Sequence, residues 1–360
     1  MEGNKVVYGL VFVHALYRSA IAGFTSCVLT PASHSSWLFR IAAARNGLTG
    51  PVPTELASLT GLDYLSLSRN DMTGTIPTEL SVLPALRTLL LNRNSFVGRI
   101  PTELGQLPSI SYLHLGNNRL SGSIPPEVFT RSMQNFDVGY NRLTGVIPAE
   151  IYTVSRDLVN IDLSSNLLVG NIPSGSVVYP TLNSFTASNN SLTGVLPVSL
   201  LADTLSILDV AQNRLGGTIP NELFDRSKSL TFFNVGENNF RGTISERFGE
   251  LIELQTLVLF FNLFIGTIPA ALDQLTNLGK VHNGCFRSCG AVLVRIVFMV
   301  FVVNVGGKKD PFIPDIFSPS LAFMFAWTLP PTVLDRDTAL CGNIALWNDA
   351  SRCLWLDHES

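Results

Sequence analysis

The sequence predicts an α/β solenoid: ten regular repeats of 23–25 residues stacked on one continuous core. Three observations carry this. The string Asn-x-Leu-x-Gly-x-Ile-Pro recurs with its Asn at Asn46, Asn70, Asn94, Asn118, Asn141, Asn166, Asn190, Asn213, Asn238 and Asn262, at spacings of 24, 24, 24, 23, 25, 24, 23, 25 and 24. Before each Asn runs Leu-x-x-Leu-x-Leu-x-x, as in Leu62, Leu65, Leu67 or Leu158, Ile161, Leu163. Charged residues make up 14% of the 360 and hydrophobic residues 46%, with a net charge of -3 and a mean hydropathy of +0.31. Such a chain can bury a large core, which excludes general disorder. It lacks the basic excess of a nucleic-acid binder. Five cysteines are too few for a disulfide scaffold, and the several long apolar runs of a polytopic membrane protein are missing. A period in this range is the signature of stacked supersecondary units.

Each element of the repeat has a physical reason. The alternating Leu pair predicts a short strand, because side chains point to opposite faces at period two. The Asn follows at the turn, where its amide can satisfy inner backbone groups that would otherwise stay unpaired. Stacked Asn residues then form a buried polar ladder. The Gly, as in Gly74 or Gly98, suits a bend where a side chain would crowd the next coil. The Ile returns to the core. Pro opens the outer half-turn, and Pro-Thr-Glu-Leu at 77–80 and 101–104 predicts a helical start with Pro in its first turn. No repeat buries its own Leu face, so residues 38–278 should form one cooperative stack.

The full string, Leu-x-x-Leu-x-Leu-x-x-Asn-x-Leu-x-Gly-x-Ile-Pro, resembles the plant-type leucine-rich repeat family and covers about two-thirds of the chain. The resemblance implies a right-handed superhelix with a parallel sheet on its concave face and a second, irregular sheet on one flank. It also implies an extracellular ligand-binding module, such as the ectodomain of a receptor-like kinase, a receptor-like protein without a kinase domain, or an inhibitor of wall-degrading enzymes. Some copies depart from the pattern. Ala43 and Ala187 stand where an inner Leu belongs, so the first repeat is expected to be a frayed, capping copy. Residues 174–178 replace a helical start, and Ile244-Ser245 replaces Ile-Pro.

The flanks break the frame. Residues 1–37 form an N-terminal segment. Lys5, the apolar run Val6–Leu16 and Ala20-Ile21-Ala22 look like a signal peptide, against which stand His14 and Arg18. Cys27 and Trp37 could instead be the remnant of an N-cap. Residues 279–332 form an atypical apolar insert with Cys285-x3-Cys289, the run Ala291–Val305 and Lys308-Lys309. The pattern is absent from 282–332, which reads in three ways: a translated non-coding segment, a membrane span over Cys289–Gly307, or an apolar extension over the open end of the stack near Phe260, Phe261 and Leu263. Joining Val281 to Val333 restores a string resembling the family's terminal repeat, with Asp337 in the Asn slot. Residues 333–360 would then be the C-terminal cap, and the resemblance implies a disulfide between Cys341 and Cys353.

The chemistry favours recognition over catalysis. There is no phosphate loop, no His-Glu-x-x-His and no Gly-x-Ser-x-Gly. Cys285-x3-Cys289 has no second ligand pair for zinc, so no cofactor or metal is expected. Fewer than 90 residues follow the solenoid, too few for a kinase, so a receptor of this kind would signal through a separate partner. Outward strand positions and the position just before each Asn supply the candidate ligand-binding residues Tyr64, Arg69, Arg93, Tyr112, His114, Asp137, Tyr140, Asp162 and Asp209. Aromatics beside Arg and Asp are hot-spot chemistry, although Asp is also ordinary at its slot in such repeats and an Arg column can be merely a solvated face. Asn189 carries the sole glycosylation sequon, in keeping with an extracellular or cell-surface location. The expected function is non-enzymatic binding of a protein, peptide or glycan on the concave face. The alternatives are a membrane-anchored receptor-like protein in signalling or defence, or an inhibitor of a secreted hydrolase.

Overall fold

A computed structural model describes residues 39–175 and 180–278. They belong to the first of two units, residues 1–305; the second, 306–360, lies outside the described residues. So do the expected N-terminal segment, the insert, the span over Cys289–Gly307 and the Cys341–Cys353 pair.

Each repeat is one coil, numbered here 1 to 10 by its Asn. Coils contribute the strands Arg40–Ala42, Tyr64–Ser66, Thr88–Leu90, Tyr112–His114, Asn135–Asp137, Asn160–Asp162, Ser184–Thr186, Ile207–Asp209, Phe232–Asn234 and Thr256–Val258, in that order, to one parallel ten-stranded sheet. Equivalent positions pair: Tyr112 lies against Thr88 on one side and Asn135 on the other. The middle residue of each strand points into the core, as Leu65, Leu89 and Leu113 do. With the flanking Leu62, Leu67, Leu86 and Leu91 these side chains are essentially fully buried. Each such Leu contributes about 1.5–3 kcal/mol of transfer free energy. The sheet runs the length of the described coils because no coil covers its own apolar face; its neighbour does.

Behind the Asn the chain enters the flank expected from the resemblance. Val97–Gly98, Arg119–Ser123, Arg142–Gly145, Leu167–Asn171 and Ser191–Thr193 form a five-stranded sheet, and a three-stranded and a two-stranded piece continue it. The repeat Gly sits here with positive φ. At Gly98 (φ 84°) an added Cβ would lie 3.0 Å from Thr75 Cγ2 of the previous coil, so both the backbone and the space favour Gly.

The outer turns are mostly 3-10 helix, as at Thr78–Val82, Thr102–Gln106 and Glu246–Glu250. Two coils use short α-helices, Glu150–Thr153 and Glu222–Arg226. The expected place of Pro needs correcting. Pro77 and Pro101 precede the helix in extended conformation (ψ 134° and 130°) rather than opening it. Their fixed φ aims the chain, and their missing N–H leaves nothing unpaired at this corner. Where Ser245 replaces Pro, its Oγ accepts the Arg247 N–H at 3.2 Å, an N-cap bond. The substituted inner positions also differ from expectation. Ala43 and Ala187 are buried, and Ala43 N–H donates to Ser66 O at 2.8 Å, so coil 1 is hydrogen-bonded to coil 2 at this point.

The Asn side chains tie each coil to the one before it. In coil 4, Asn118 Nδ2 donates to Leu115 O in its own coil (2.9 Å) and to Leu91 O in coil 3 (3.1 Å). Its Oδ1 accepts the Phe96 N–H of coil 3 at 3.0 Å. Asn70, Asn94, Asn141, Asn166, Asn190, Asn213, Asn238 and Asn262 repeat the arrangement. Of the ten Asn residues expected to be buried, only Asn70, Asn166 and Asn238 are; six others are half-buried, and Asn46 is exposed. The Asn46 side chain donates only locally, to Ala44 O, because no described coil precedes it. Replacing Asn118 by Ala would strand the Phe96 N–H and leave Leu91 O and Leu115 O each with one amide donor, from Asn94 and Asn141, instead of two. Equilibrium denaturation of Asn118→Ala is expected to show a loss of about 1–3 kcal/mol, and an unchanged midpoint would mean those groups find other partners.

Candidate functional site

The strand face presents two side chains per coil, those flanking the inward residue. Tyr112 is exposed, as is Tyr140 just beyond the strand, at 39% and 40%. Tyr64 is half-buried, with the Arg40 guanidinium 4.4 Å from its ring centroid. Alternation alone does not set exposure here. Ser66, Asn135, Asn234 and Val258 occupy outward slots yet are buried. Small polar side chains on this sheet are roofed by their neighbours: Asn135 Oδ1 accepts from Asn160 Nδ2 of the next coil at 2.6 Å.

A second column flanks the strands, one residue before each Asn. Arg45, Arg69, Arg93, Asn117, Tyr140, Ser165, Asn189, Gln212, Glu237 and Phe261 all have φ between 50° and 60°. Only Asn117 and Asn189 belong to a type that tolerates this region well. Hydrogen bonds to the following coil hold the conformation: Arg69 N–H donates to Asn92 O and Asn117 N–H to Gly139 O. The left-handed residue turns the chain so that the next side chain, the Asn, points inward. The sequence singles out this column through Arg69, Arg93 and Tyr140 but gives no sign of its left-handed conformation, because glycine, the usual signal of positive φ, is absent from it.

Across coils 4 to 8 the outward slots carry His114, Asp137, Asp162, Thr186 and Asp209 in register. Each Asp caps the end of its strand. Asp137 Oδ1 accepts from Gly139 N–H, Asp162 Oδ1 from Ser164 N–H and Thr186 Oγ1, and Asp209 Oδ1 from Ala211 N–H, all at 2.9–3.1 Å. Burial, and then the neighbouring Asp162 carboxylate, push the Asp137 carboxyl up to about 7 despite the Gly139 bond. Burial likewise lifts Asp209 to about 6. The His114 imidazole is held below its ordinary value by burial, against the opposing pull of Asp162. Its 4.0 Å approach to Asp137 is therefore a polar contact near neutral pH rather than a full ion pair. Gly116 and Gly139 make room for the carboxylates. A Cβ on Gly116 would overlap Asp137 Oδ1, and one on Gly139 would come within 2.9 Å of Asp162 Oδ2.

The other end of the face is cationic. Arg93 and Arg45, flanking Arg69 in the left-handed column, hold its guanidinium below its ordinary value by like-charge repulsion. Among the described residues, none of these three arginines is in an ion pair. The candidate residues thus fall into three groups on one surface: arginines in coils 1 to 3, tyrosines and His114 in coils 2 to 5, aspartates in coils 5 to 8. Asn189 is exposed in coil 7, where Nδ2 contacts Ser165 Oγ at 3.2 Å, so a glycan there would stand beside the strand face. No group of three potential metal ligands occurs among the described residues.

Residues 61–83, 85–107 and 109–130 match the family profile described as Leucine Rich Repeat. Receptor-like protein 7 of Arabidopsis thaliana is 38% identical over 123 residues, which is 33% of this chain and 12% of that protein. Among solved structures, the plant peptide hormone receptor RGFR1 in complex with RGF2 superposes with a TM-score of 0.63 at 32% identity, over 67% of this chain and 39% of that one. The Arabidopsis receptor kinase HAESA, in complex with the peptide hormone IDA and the co-receptor SERK1, gives 0.62 at 33% identity, over 66% and 41%. The chain therefore spans well under half the length of these proteins.

The carboxyl shifts set a pH dependence. In the unfolded chain an Asp ionises near pH 4, whereas folded Asp137 and Asp209 ionise near 7 and 6. Between those values the folded state holds more protons, so these groups lower stability as pH rises from about 4 to about 7. Asp137→Asn keeps an oxygen for the Gly139 N–H and removes the ionisation. Denaturation midpoints at pH 5 and pH 8 are expected to differ less in Asp137→Asn than in the parent, with the variant the more stable at pH 8. Equal pH responses would refute the shift.

Proposed function

We propose that this leucine-rich-repeat chain is a ligand-binding module of the receptor-like kind, which takes an extended peptide or protein segment across the strand face of coils 2 to 5. The observation that carries this is the contiguity of Tyr64, Arg69, Arg93, Tyr112, His114 and Tyr140. They lie on or just after the strands of successive coils, about 4.8 Å apart, so rigid aromatic area and guanidinium forks share one strip. Such side chains lose little entropy on contact and make directional bonds, which is the composition of interface hot spots. Two of the solved receptors with this fold, RGFR1 and HAESA, are bound to peptide hormones.

The same likeness supports an extracellular or cell-surface location. No helix among the described residues is long and apolar enough to cross a membrane, and a receptor-like anchor over Cys289–Gly307 would lie outside them. A glycan or a secreted hydrolase could occupy the same face, but the pairing of tyrosines with guanidinium groups and carboxylates fits a peptide's mixed side chains best.

The test is affinity after ligand capture. Peptides bound by the full chain from extracellular fluid are identified by mass spectrometry and resynthesised. Tyr112→Ala and Arg93→Ala are each expected to weaken binding by more than about 1 kcal/mol, and Glu79→Ala, on the outer turn, to leave it unchanged. The reverse pattern would move the site off the strand face.

A further inference from the structure

The strand face is electrically divided. Arg45, Arg69 and Arg93 occupy the same left-handed position in three consecutive coils. They repel one another and, among the described residues, have no ion-pair partner. Two coils further on, Asp137 and Asp162 lie side by side in paired strands. Both ends belong to one surface, because the strands of these coils pair in order in one parallel sheet. Between them, coil 4 offers Tyr112, His114 and Asn117, with Tyr112 exposed. Like charges set beside one another without neutralisation are destabilising in the free protein. A ligand that supplies the opposite sign at each end removes both repulsions at once.

We propose that the strand face of coils 1 to 6 selects an extended peptide by its charge order, with acidic residues over Arg45, Arg69 and Arg93 and basic residues over Asp137 and Asp162. This rests on the peptide-binding role proposed above and specifies what that peptide carries. A uniformly anionic partner, such as an acidic polysaccharide, would gain at the arginines and be repelled at the aspartates; a uniformly cationic one would meet the reverse. A peptide can carry both signs in sequence. The geometry also sets its length. From the Arg45 coil to the Asp162 coil is five strand steps, about 24 Å at ~4.8 Å per strand, which an extended chain spans in about seven residues at ~3.3 Å each. Carboxylates suit the arginine end because the guanidinium fork binds them bidentately. The repulsion between the neighbouring Asp137 and Asp162 carboxylates would be offset by an arriving ammonium or guanidinium group.

The test uses two labelled octapeptides of identical composition and the full chain, by fluorescence anisotropy at low and physiological salt. One has three glutamates, two serines and three lysines in blocks; in the other the glutamates and lysines alternate around the same serines. The block peptide is expected to bind roughly tenfold more tightly, with the advantage shrinking as salt rises. Arg69→Glu combined with Arg93→Glu should abolish the preference, and Asp162→Asn should reduce it several-fold; thermal melts confirm that each variant is folded. Equal affinities, or a block preference that survives the paired Arg substitution, would overturn charge-order selection. If the two peptides bind equally and both lose affinity in Tyr112→Ala, the face still binds peptides and only the charge order fails. If neither binds, charge-order selection fails, and peptide binding is then decided by the captured ligands.

Discussion

Everything in this molecule depends on how a coil's inner turn keeps its backbone polar groups satisfied while buried against Leu. The Asn side chain solves this with one amide. Asn118 gathers carbonyls from two coils on its nitrogen and an N–H from the previous coil on its oxygen. The bond set has a direction: every Asn from coil 2 onward reaches back and none reaches forward. Coil 1 illustrates the consequence. Asn46 has nothing behind it and lies exposed, while its own N–H and that of Leu48 are served by Asn70 Oδ1 of coil 2 at 2.8 and 3.0 Å. Registry between coils therefore follows from hydrogen bonding as much as from apolar packing. That registry is what lines up the side chains of the strand face.

Much of the fold was legible because its signals are periodic and local. The Leu pair at period two marks strands and the recurring Asn marks turns, and both appear at the marked places. The outer segments were less legible. Pro-Thr-Glu-Leu is compatible with any right-handed turn, and the choice of 3-10 over α depends on how much chain each coil has left to close. Ser245 shows a different route to one corner, a side-chain cap instead of a fixed φ.

The strand face was legible only in part. Alternation places Tyr112 outward, and it is exposed, but it also places Asn135 outward, and that residue is buried. The difference lies in the adjacent coil, since Asn160 roofs Asn135. The unusual ionisation of Asp137 has the same origin. It requires Gly116 in the previous coil, on whose open space the carboxylate rests, and Asp162 in the next. Each partner lies more than twenty residues away in sequence, and the pattern within one repeat does not reveal that they meet. The repeat's own period is what would expose such pairs, by reading down the columns rather than along the chain.

The left-handed column has one further implication. At nine of these ten positions, Arg45 to Glu237, the backbone conformation is imposed from outside, by bonds to the following coil. The side chains of the column range from Ser165 to Phe261 and from Arg69 to Glu237, so identity is almost unconstrained. The torsional penalty of about 1–2 kcal/mol for a non-glycine residue is similar for most of them. Exchanging one for another therefore leaves the stability of the stack nearly constant while redrawing the surface beside the sheet. The column behaves as a row of interchangeable sockets, where a new specificity can be explored without first compensating for a weakened fold.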